Sequence, residues 1–219
     1  MSEWWTYTLS DFLMFSPRTY YRLFELYNLE VWPAHLVAAV AGIAALILVW
    51  RGGVGASRAI AAMLAVAWVW VAWAFLFSHY DAINWAGRYF AAGFLAEALL
   101  IGAWGVVAGR LALGPIGHAV DRVGFAVFLF ALIGYPLIAP AAGRPWTQAE
   151  VFGLAPDPTA IATLGLLLTS RNGAVWLLCV LPGLWCAVSA ATLWAMVGSE
   201  ALLPAAGLVV AIFAASRWV

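Results

Sequence analysis

Charged residues are scarce in this chain of 219 residues, and lysine is absent. Charged residues make up 9% of the sequence and hydrophobic residues 66%, whereas a soluble domain has about 25% charged and about 45–50% apolar residues. A single soluble core of this length could not bury so much apolar surface, so the composition predicts a membrane protein whose first partner is the lipid bilayer. The net charge is zero, which gives no electrostatic basis for binding nucleic acid.

Several motifs of known chemistry are also missing. The sequence has no glycine-rich phosphate loop, nucleophile elbow, His-Glu-x-x-His motif or paired-cysteine metal motif. The cysteines Cys179 and Cys186 would lie about 10 Å apart along a helix, too far for a disulfide, and we expect them to be small buried hydrophobic residues. We predict no cofactor, but we expect bound lipid.

Long apolar runs are abundant. They cover residues 31–50, 59–77, 89–109, 123–142, 159–170, 174–197 and 201–216. A membrane-spanning helix needs about 20 apolar residues, and only the fifth run is clearly short of this. We therefore predict an all-α, polytopic transmembrane helix bundle with about seven spans. Six spans plus a re-entrant fifth run is the alternative.

Two features inside these runs predict local geometry. Pro136 should kink the fourth span, because proline lacks the backbone N–H of a regular helix. Gly105 and Gly109 have the spacing of small residues that allows another helix to approach closely.

The arginines orient the predicted spans. With seven spans and the N-terminus outside, the inner connections hold six arginines and the outer segments four. The inner arginines are Arg51, Arg58, Arg110, Arg122, Arg171 and Arg217, and the outer ones are Arg18, Arg22, Arg88 and Arg144. Arginine accumulates on the cytoplasmic side of membrane proteins. This distribution predicts a multi-pass protein with an external N-terminus and an internal C-terminus.

The N-terminal segment differs from the rest. Ser16 and Pro17 form a helix-start signal, and an aromatic-apolar stripe of Tyr20, Leu23, Phe24 and Tyr27 follows at helical spacing. We predict that residues 1–30 contain an amphipathic helix in the membrane interface and that residues 31–219 form the transmembrane bundle.

Four sequence stretches together resemble a family of bacterial integral membrane proteins classed as a domain of unknown function. They are "WWTYTLSDFLMFSPRTYYRLFELYN", "AINWA", "GLAPDPTAIATLGLLL" and "LWCAVSAATLWAM". The resemblance covers nearly the whole chain and implies a multi-pass protein of the bacterial cytoplasmic (inner) membrane. It implies no activity, cofactor or catalytic residue.

Glu97 stands near the middle of the third span and is the sharpest functional candidate. An ionisable group at mid-membrane costs about 2.5–3.5 kcal/mol on insertion scales, so it should face the bundle interior. It could be a proton or cation relay, or a carboxyl that packs by hydrogen bonding to a neighbouring helix.

The stretch "SHYDAINWAGR" (residues 78–88), here called the edge turn, joins the second and third spans. It contains four candidate binding residues: His79, Asp81, Asn84 and Arg88. They could form the polar mouth of a site. Alternatively, Asp81 pairs with Arg88, and Asn84 caps the third helix with Trp85 in its first turn.

Two further candidates belong to the same predicted outer side. His35 lies one turn into the first span, where packing is the alternative role, and with His79 and Asp81 it could form a weak metal site. Asp157, in "PDPT", begins the fifth run. Asp157 or Thr159 could cap this helix, and helix N-termini of this kind bind anionic substrate groups in transporters.

The sequence is compatible with three functions. The first is a transporter or channel-like protein for an ion or small solute, with an outer polar vestibule and Glu97 as the inner ionisable step. The second is a non-catalytic membrane subunit that packs against a larger complex or its own copies, through the Gly105/Gly109 face and the amphipathic helix. An intramembrane enzyme is the weakest, because no nucleophile and base are spaced to meet on one helix face.

Overall fold

The computed structural model describes residues 14–114, 117–172, 175–196 and 199–216, and these ranges are predominantly helical. The helix bounds are α1 Pro17–Glu30, α2 Ala34–Arg51, α3 Val54–Ala82, α4 Gly87–Val107, α5 Ala119–Ala141, α6 Pro156–Leu168, α7 Trp176–Ala195 and α8 Leu202–Ser216. Helices α2, α3, α4, α5 and α7 are long and apolar enough to cross a membrane, and α8 is a shorter apolar helix. The prediction of an all-helical chain is confirmed for the described residues. Arg217 and the first thirteen residues lie outside them.

Three of the long helices change their hydrogen-bonding pattern towards their C-terminal ends. The chain forms π-helix over Val71–Phe77 in α3, Gly102–Val107 in α4 and Phe130–Gly134 in α5. In α5 a 3₁₀ turn, Tyr135–Leu137, follows directly and contains Pro136. Proline cannot donate the regular helical hydrogen bond, which accounts for the 3₁₀ turn at Pro136, and the predicted kink stays a prediction.

Helix α1 packs its aromatic stripe against the bundle. The Ser16 hydroxyl accepts a hydrogen bond from the Thr19 backbone N–H, which confirms the predicted helix start. The Phe24 ring stacks on Phe75 of α3 at 4.8 Å, and the Tyr27 hydroxyl donates to the Leu154 carbonyl at 3.0 Å. The stripe that was expected to face the interface is therefore buried in protein, because its aromatic rings find aromatic partners there.

The short helix α6 is buried along its whole length. Its Gly165 crosses Gly124 of α5 so closely that a Cβ on Gly165 would lie 2.7 Å from the Gly124 carbonyl oxygen. Two glycines at the crossing let the helix backbones touch, which allows α6 to sit inside the bundle.

Helix α6 connects the two ends of the bundle. Before it begins, Asn28 of α1 donates to the Thr147 and Ala149 carbonyls, both at 2.8 Å. After it ends, the Arg171 backbone N–H donates to the Ala112 carbonyl at 3.0 Å, in the connection between α4 and α5. The chain thus enters and leaves α6 as irregular backbone at opposite ends of the bundle, so α6 needs fewer residues than a full span.

The predicted close approach at Gly105 occurs within this chain. A Cβ on Gly105 would collide with the Ala61 side chain of α3, and Gly109 lies against the Arg58 side chain. This face was expected to serve an external partner in the subunit hypothesis. That expectation is wrong, because α3 already covers the face.

Candidate functional site

The edge turn is held by its own charges. Arg88 donates from Nε to Asp81 Oδ1 at 3.2 Å and from Nη2 to Asp81 Oδ2 at 3.0 Å, and its backbone N–H also donates to Oδ1 at 3.1 Å. The predicted Asp81–Arg88 pair is confirmed. Since one carboxylate meets one guanidinium through two parallel bonds, the pair is complete without a ligand.

Asn84 does not cap α4, the helix of the third predicted span, as the sequence predicted. The helix begins at Gly87, with Ala86 at the capping position. The Asn84 side chain instead accepts from the Ala86 backbone N–H at 3.0 Å and donates to the Tyr80 hydroxyl at 3.1 Å. The prediction is wrong by two residues because Asn84 forms a local side-chain turn, which competes with helix formation.

The two candidate histidines, His79 and His35, have separate partners. In His79, Nδ1 lies 2.6 Å from the Ala74 carbonyl and Nε2 lies 3.1 Å from Glu30 Oε2. In His35, Nε2 lies 3.2 Å from Asn28 Oδ1. The structure therefore does not bring His35, His79 and Asp81 together. Among the residues that it describes, no group of three or more His, Cys, Asp or Glu side chains could hold a metal ion.

Glu97 lies inside the bundle, as predicted from its position in an apolar run. It has 0% exposure, and neither carboxyl oxygen has a hydrogen-bond partner within the described ranges. Its charge would act on Cys179 of α7, which places the two residues in the same part of the core. The hydrogen bond to a neighbouring helix that the packing role requires is absent from the described part of the chain.

Asp157 is the best-connected carboxyl of the core. It is 1% exposed and accepts hydrogen bonds from the Tyr135 hydroxyl at 2.9 Å, Trp185 Nε1 at 2.7 Å and the Ser189 hydroxyl at 2.6 Å. These donors come from α5 and α7. Asp157 was expected as a helix cap or anion site, but its side chain points to neighbouring helices instead.

The other predicted cap, Thr159, serves the buried loop before α6. Its hydroxyl accepts from the Gly153 backbone N–H at 2.9 Å and donates to the Ala155 carbonyl at 2.6 Å. Ala155 itself occupies the capping position and provides no side-chain bond. Thr159 therefore stabilises irregular backbone inside the bundle, and no side chain caps the α6 N-terminus.

Three more charged residues lie in the electrostatic neighbourhood of Asp157: Arg144, Glu150 and Glu200. We call these residues and Asp157 the carboxylate cluster. Arg144 pairs with Glu200 at 2.6 Å and lies over the Tyr21 ring at 3.9 Å. Burial, followed by the negative charge of Glu200, raises the pKa of Tyr21 to about 12, so its hydroxyl stays protonated beside the pair.

The surroundings of Glu150 disfavour the ionised form of its carboxyl. It is 6% exposed, and its Oε2 has no hydrogen-bond partner in the described part of the chain. Burial raises the pKa of the Glu150 carboxyl well above its ordinary value, and the Asp157 charge raises it further, against an opposing effect of Arg144. Glu150 therefore favours the neutral, protonated form.

The charge balance of the carboxylate cluster is unequal. Three carboxyls face one guanidinium, and that guanidinium is already paired with Glu200. The partners of Asp157 are neutral donors. An ionised carboxylate out of water needs a counter-charge or a proton. The arrangement can therefore take up a positive charge.

The sequence predicted Asp157 as a candidate but missed Arg144, Glu150 and Glu200. These three residues stand in polar connections, where charged side chains are usually solvated. A signal was present in the length of the connection at residues 143–158, because connections between helices of a bundle usually have about 2–8 residues. Its burial could not be predicted without the fold.

A narrow crevice lies between α1, α3 and α7, beside the carboxylate cluster. Its lining includes Tyr20, Tyr80, Ser189 and Thr192, and Pro156 lies at its side, next to Asp157. It has room for about one water molecule. The carboxylate cluster is therefore next to a crevice whose lining combines apolar side chains with the hydroxyls of tyrosine, serine and threonine.

Comparison with known proteins gives a family without an assigned activity. A family model described as a family of unknown function, DUF6064, matches residues 18–218. No curated protein and no solved structure matches the chain.

Proposed function

The chain therefore belongs to the DUF6064 family of unknown function, and we propose that it transports an ion or small solute across a membrane through a carboxylate cluster that binds and releases a cation. The charge balance of that cluster carries the proposal. Asp157 and Glu150 are buried, and the guanidinium of Arg144 is paired with Glu200. Retaining two such carboxyls costs stability, and a binding role for positive charge accounts for them.

The irregular backbone beside the carboxylate cluster supports the same proposal. Ala149, Phe152 and Leu154 are buried in a non-helical segment that leads into α6. Non-helical backbone at membrane depth is tolerated only where protein or a cavity surrounds it. In transporters such interruptions form the substrate and ion sites near the middle of the membrane.

We propose seven membrane crossings, with α6 and α8 completing the five long helices. Helix α6 connects opposite ends of the bundle, which supports a crossing over a re-entrant run. The arginine distribution then favours an external N-terminus, and the family resemblance a bacterial cytoplasmic membrane. In this orientation the carboxylate cluster lies in the outer half of the protein.

Glu97 is the second ionisable step in this proposal. It lies on α4, and its neighbour Cys179 lies in the N-terminal half of α7, which is farther along the helix from Ser189. Its two carboxyl oxygens, which have no hydrogen-bond partner among the described residues, could receive a cation after it leaves the carboxylate cluster. The outer vestibule is accordingly assigned to the carboxylate cluster and not to the edge turn, whose charges are already paired.

The alternative, a non-catalytic membrane subunit, has less support from the faces proposed for its docking. Both the Gly105 face and the aromatic stripe of α1 are covered by helices of the same chain. A larger complex or a homo-oligomer would have to form through other apolar surface.

We also propose that lipid occupies an apolar groove between α2 and α3. The groove has a volume of about 430 Å³, and its lining includes Val37, Ala41, Met63, Val66 and Trp70. Its walls are almost entirely apolar, which suits an acyl chain better than a polar solute.

The decisive experiment measures cation binding in reconstituted vesicles. Proteoliposomes adsorbed to a solid-supported membrane would receive jumps of pH, sodium or potassium, and the displaced charge would be recorded. We expect the wild type to displace charge after at least one jump, and Asp157→Asn to reduce the displacement at least tenfold. Asp81→Asn is the matched control, since it changes an acidic residue whose charge is already paired, and it should behave like the wild type.

The same recordings can contradict the proposal. Wild-type vesicles that displace no more charge than protein-free vesicles, for every cation, would exclude a cation-binding cycle. A displacement that survives in both Asp157→Asn and Glu150→Gln would move the site away from the carboxylate cluster.

A further inference from the structure

We propose that the cation taken up by the carboxylate cluster is a proton, and that it reaches Asp157 through the crevice beneath α1. This inference rests on the proposed function and names its ion and its entry path. It assigns a role to Ser189 and Thr192, which the sequence did not single out.

The crevice is bordered by Thr192 and Ser189 of α7, and it reaches Asp157 through the Ser189 side chain. Thr192 is half-buried at its mouth, and Ser189, one helical turn deeper, is 4% exposed. The Ser189 hydroxyl donates to Asp157 Oδ2 at 2.6 Å. Two hydroxyl side chains thus mark the path from its opening to its end.

The dimensions and chemistry of this path favour a proton over a metal cation. The crevice has room for about one water molecule, which excludes a hydrated sodium or potassium ion. At its end, Asp157 is surrounded by the N–H of Trp185 and the hydroxyls of Tyr135 and Ser189. An indole N–H cannot ligate a cation, and both hydroxyls direct their protons at the carboxylate.

The groups around Asp157 leave it as the proton acceptor. The charged ones are Glu150 and Arg144 in the connection before α6, and Glu200 before α8. The remaining titratable groups are the hydroxyls of Tyr20, Tyr80 and Tyr135 and the thiol of Cys186, which come from α1, α3, α5 and α7. Phenols and thiols are ordinarily neutral at pH 7, so the mobile proton belongs to the two carboxyls.

Asp157 and Glu150 have different roles because their surroundings differ. Three donors stabilise the ionised form of Asp157, whereas Glu150 Oε2 has no hydrogen-bond partner within the described residues, and burial raises the pKa of Glu150. Interacting acids of this kind titrate as a pair. We assign the resting proton to Glu150 and the incoming proton to Asp157.

The Ser189 hydroxyl relays the proton to Asp157 and ends in its original protonation state. A hydronium ion in the crevice gives a proton to Ser189 Oγ, while Ser189 passes its own hydroxyl proton to Asp157 Oδ2. The products are one water molecule, an unchanged serine and a neutral Asp157 carboxyl. No electron is transferred, and the carboxylate cluster becomes more positive by one charge.

Cysteine labelling tests the path in the full-length protein. The native Cys179 and Cys186 are buried, so a background of Cys179→Ala and Cys186→Ala removes them, provided that it retains the wild-type charge displacement after a pH jump. In this background Thr192→Cys should react with a small cationic methanethiosulfonate added outside. Ala191→Cys is the control at equal depth, because Ala191 is exposed on the outer surface of α7, where lipid excludes a charged reagent.

The labelled protein then gives the functional result. Modification of Thr192→Cys should reduce the charge displaced by a pH jump at least fivefold, and reduction of the mixed disulfide should restore it. This reversal separates a blocked path from a misfolded protein.

Each opposing result has a distinct meaning. If Thr192→Cys reacts no faster than Ala191→Cys, or if its modification leaves the displacement unchanged, the crevice is not the path. A second outcome is that sodium or potassium jumps displace charge, that pH jumps do not, and that Asp157→Asn abolishes the displacement. The transported ion is then not a proton, although the proposed function stands. If the wild type displaces no charge after any of these jumps, the proposed function itself is contradicted, and not this inference alone.

Discussion

The edge turn and the carboxylate cluster each contain one arginine and at least one acidic residue, but they differ in the balance of these charges. In the edge turn Asp81 and Arg88 form a one-to-one pair at the protein surface, and His79 lies beside the exposed Glu30. In the carboxylate cluster three carboxyls share Arg144. The first arrangement is complete, whereas the second lacks positive charge.

This difference separates a structural use of charge from a functional one. Exposed ion pairs contribute about 0–1 kcal/mol to stability, because water solvates the partners equally well. Buried carboxyls without a counter-charge destabilise the fold and mark ion or proton pathways in membrane proteins. The carboxylate cluster is therefore a better candidate site than the more conspicuous edge turn.

Removal of Asp157 should have the largest effect. Asp157→Ala leaves the buried donors of Tyr135, Trp185 and Ser189 without their acceptor, and each unsatisfied group costs about 1–3 kcal/mol. We expect the free energy of unfolding in detergent to fall by more than about 3 kcal/mol. Asp81→Ala should lower it by about 1 kcal/mol or less, and equal losses for both variants would remove the contrast.

A methyl group at Gly165 should disturb the helix that carries Asp157. Its Cβ would lie 2.7 Å from the Gly124 carbonyl, so α5 and α6 must separate. Overpacking of this kind destabilises by about 1–3 kcal/mol, measured as a lower midpoint of thermal unfolding. Gly93→Ala provides the control, since a Cβ at Gly93 would meet no atom of the described residues within 4 Å beyond its own stretch of helix. An unchanged midpoint for Gly165→Ala would show that the crossing is not close.

Replacement of Glu97 should sharpen the distinction between stability and function. Glu97→Leu removes a buried carboxyl that has no hydrogen-bond partner in the described ranges, so the free energy of unfolding should rise by about 1–2 kcal/mol. The charge displaced by a pH jump should fall in the same variant. A destabilised Glu97→Leu protein would indicate that Glu97 has a structural partner.

The stability of the protein should depend on pH through Glu150. Its pKa is raised in the folded state above the ordinary value of 4.5, so the unfolded chain loses this proton first as the pH rises. The contribution to stability is complete below pH 4.5 and is lost progressively above it. We expect Glu150→Gln to unfold at a higher temperature than the wild type near neutral pH. The gain should shrink towards pH 4.5, and a gain that is constant across the range would contradict the assignment.

Local features of the fold could be predicted from the sequence, because neighbouring residues determine them. Ser16 caps α1, and the paired residues Asp81 and Arg88 are only seven positions apart in the sequence. The position of Asn84 was missed by two residues, since its side chain satisfies the turn before the helix begins.

Long-range features could not be predicted in the same way. Arg144 and Glu200 are 56 residues apart, and the donors of Asp157 lie 22, 28 and 32 residues away on two helices. Neither the meeting of these side chains nor the burial of Glu150 leaves a periodic signal. The short run that became α6 was noticed, but its buried position depends on the crossing of Gly124 and Gly165.

Infrared spectroscopy can establish whether the buried Glu150 carboxyl is protonated. Infrared difference spectra of the wild type and Glu150→Gln would be recorded at neutral pH in detergent or lipid. We predict that the wild type has an absorption band of a protonated carboxyl group that Glu150→Gln lacks and Asp81→Asn retains. If Glu150→Gln removes only carboxylate absorption, Glu150 is ionised, and the account of a carboxylate cluster that holds protons in place of counterions is contradicted.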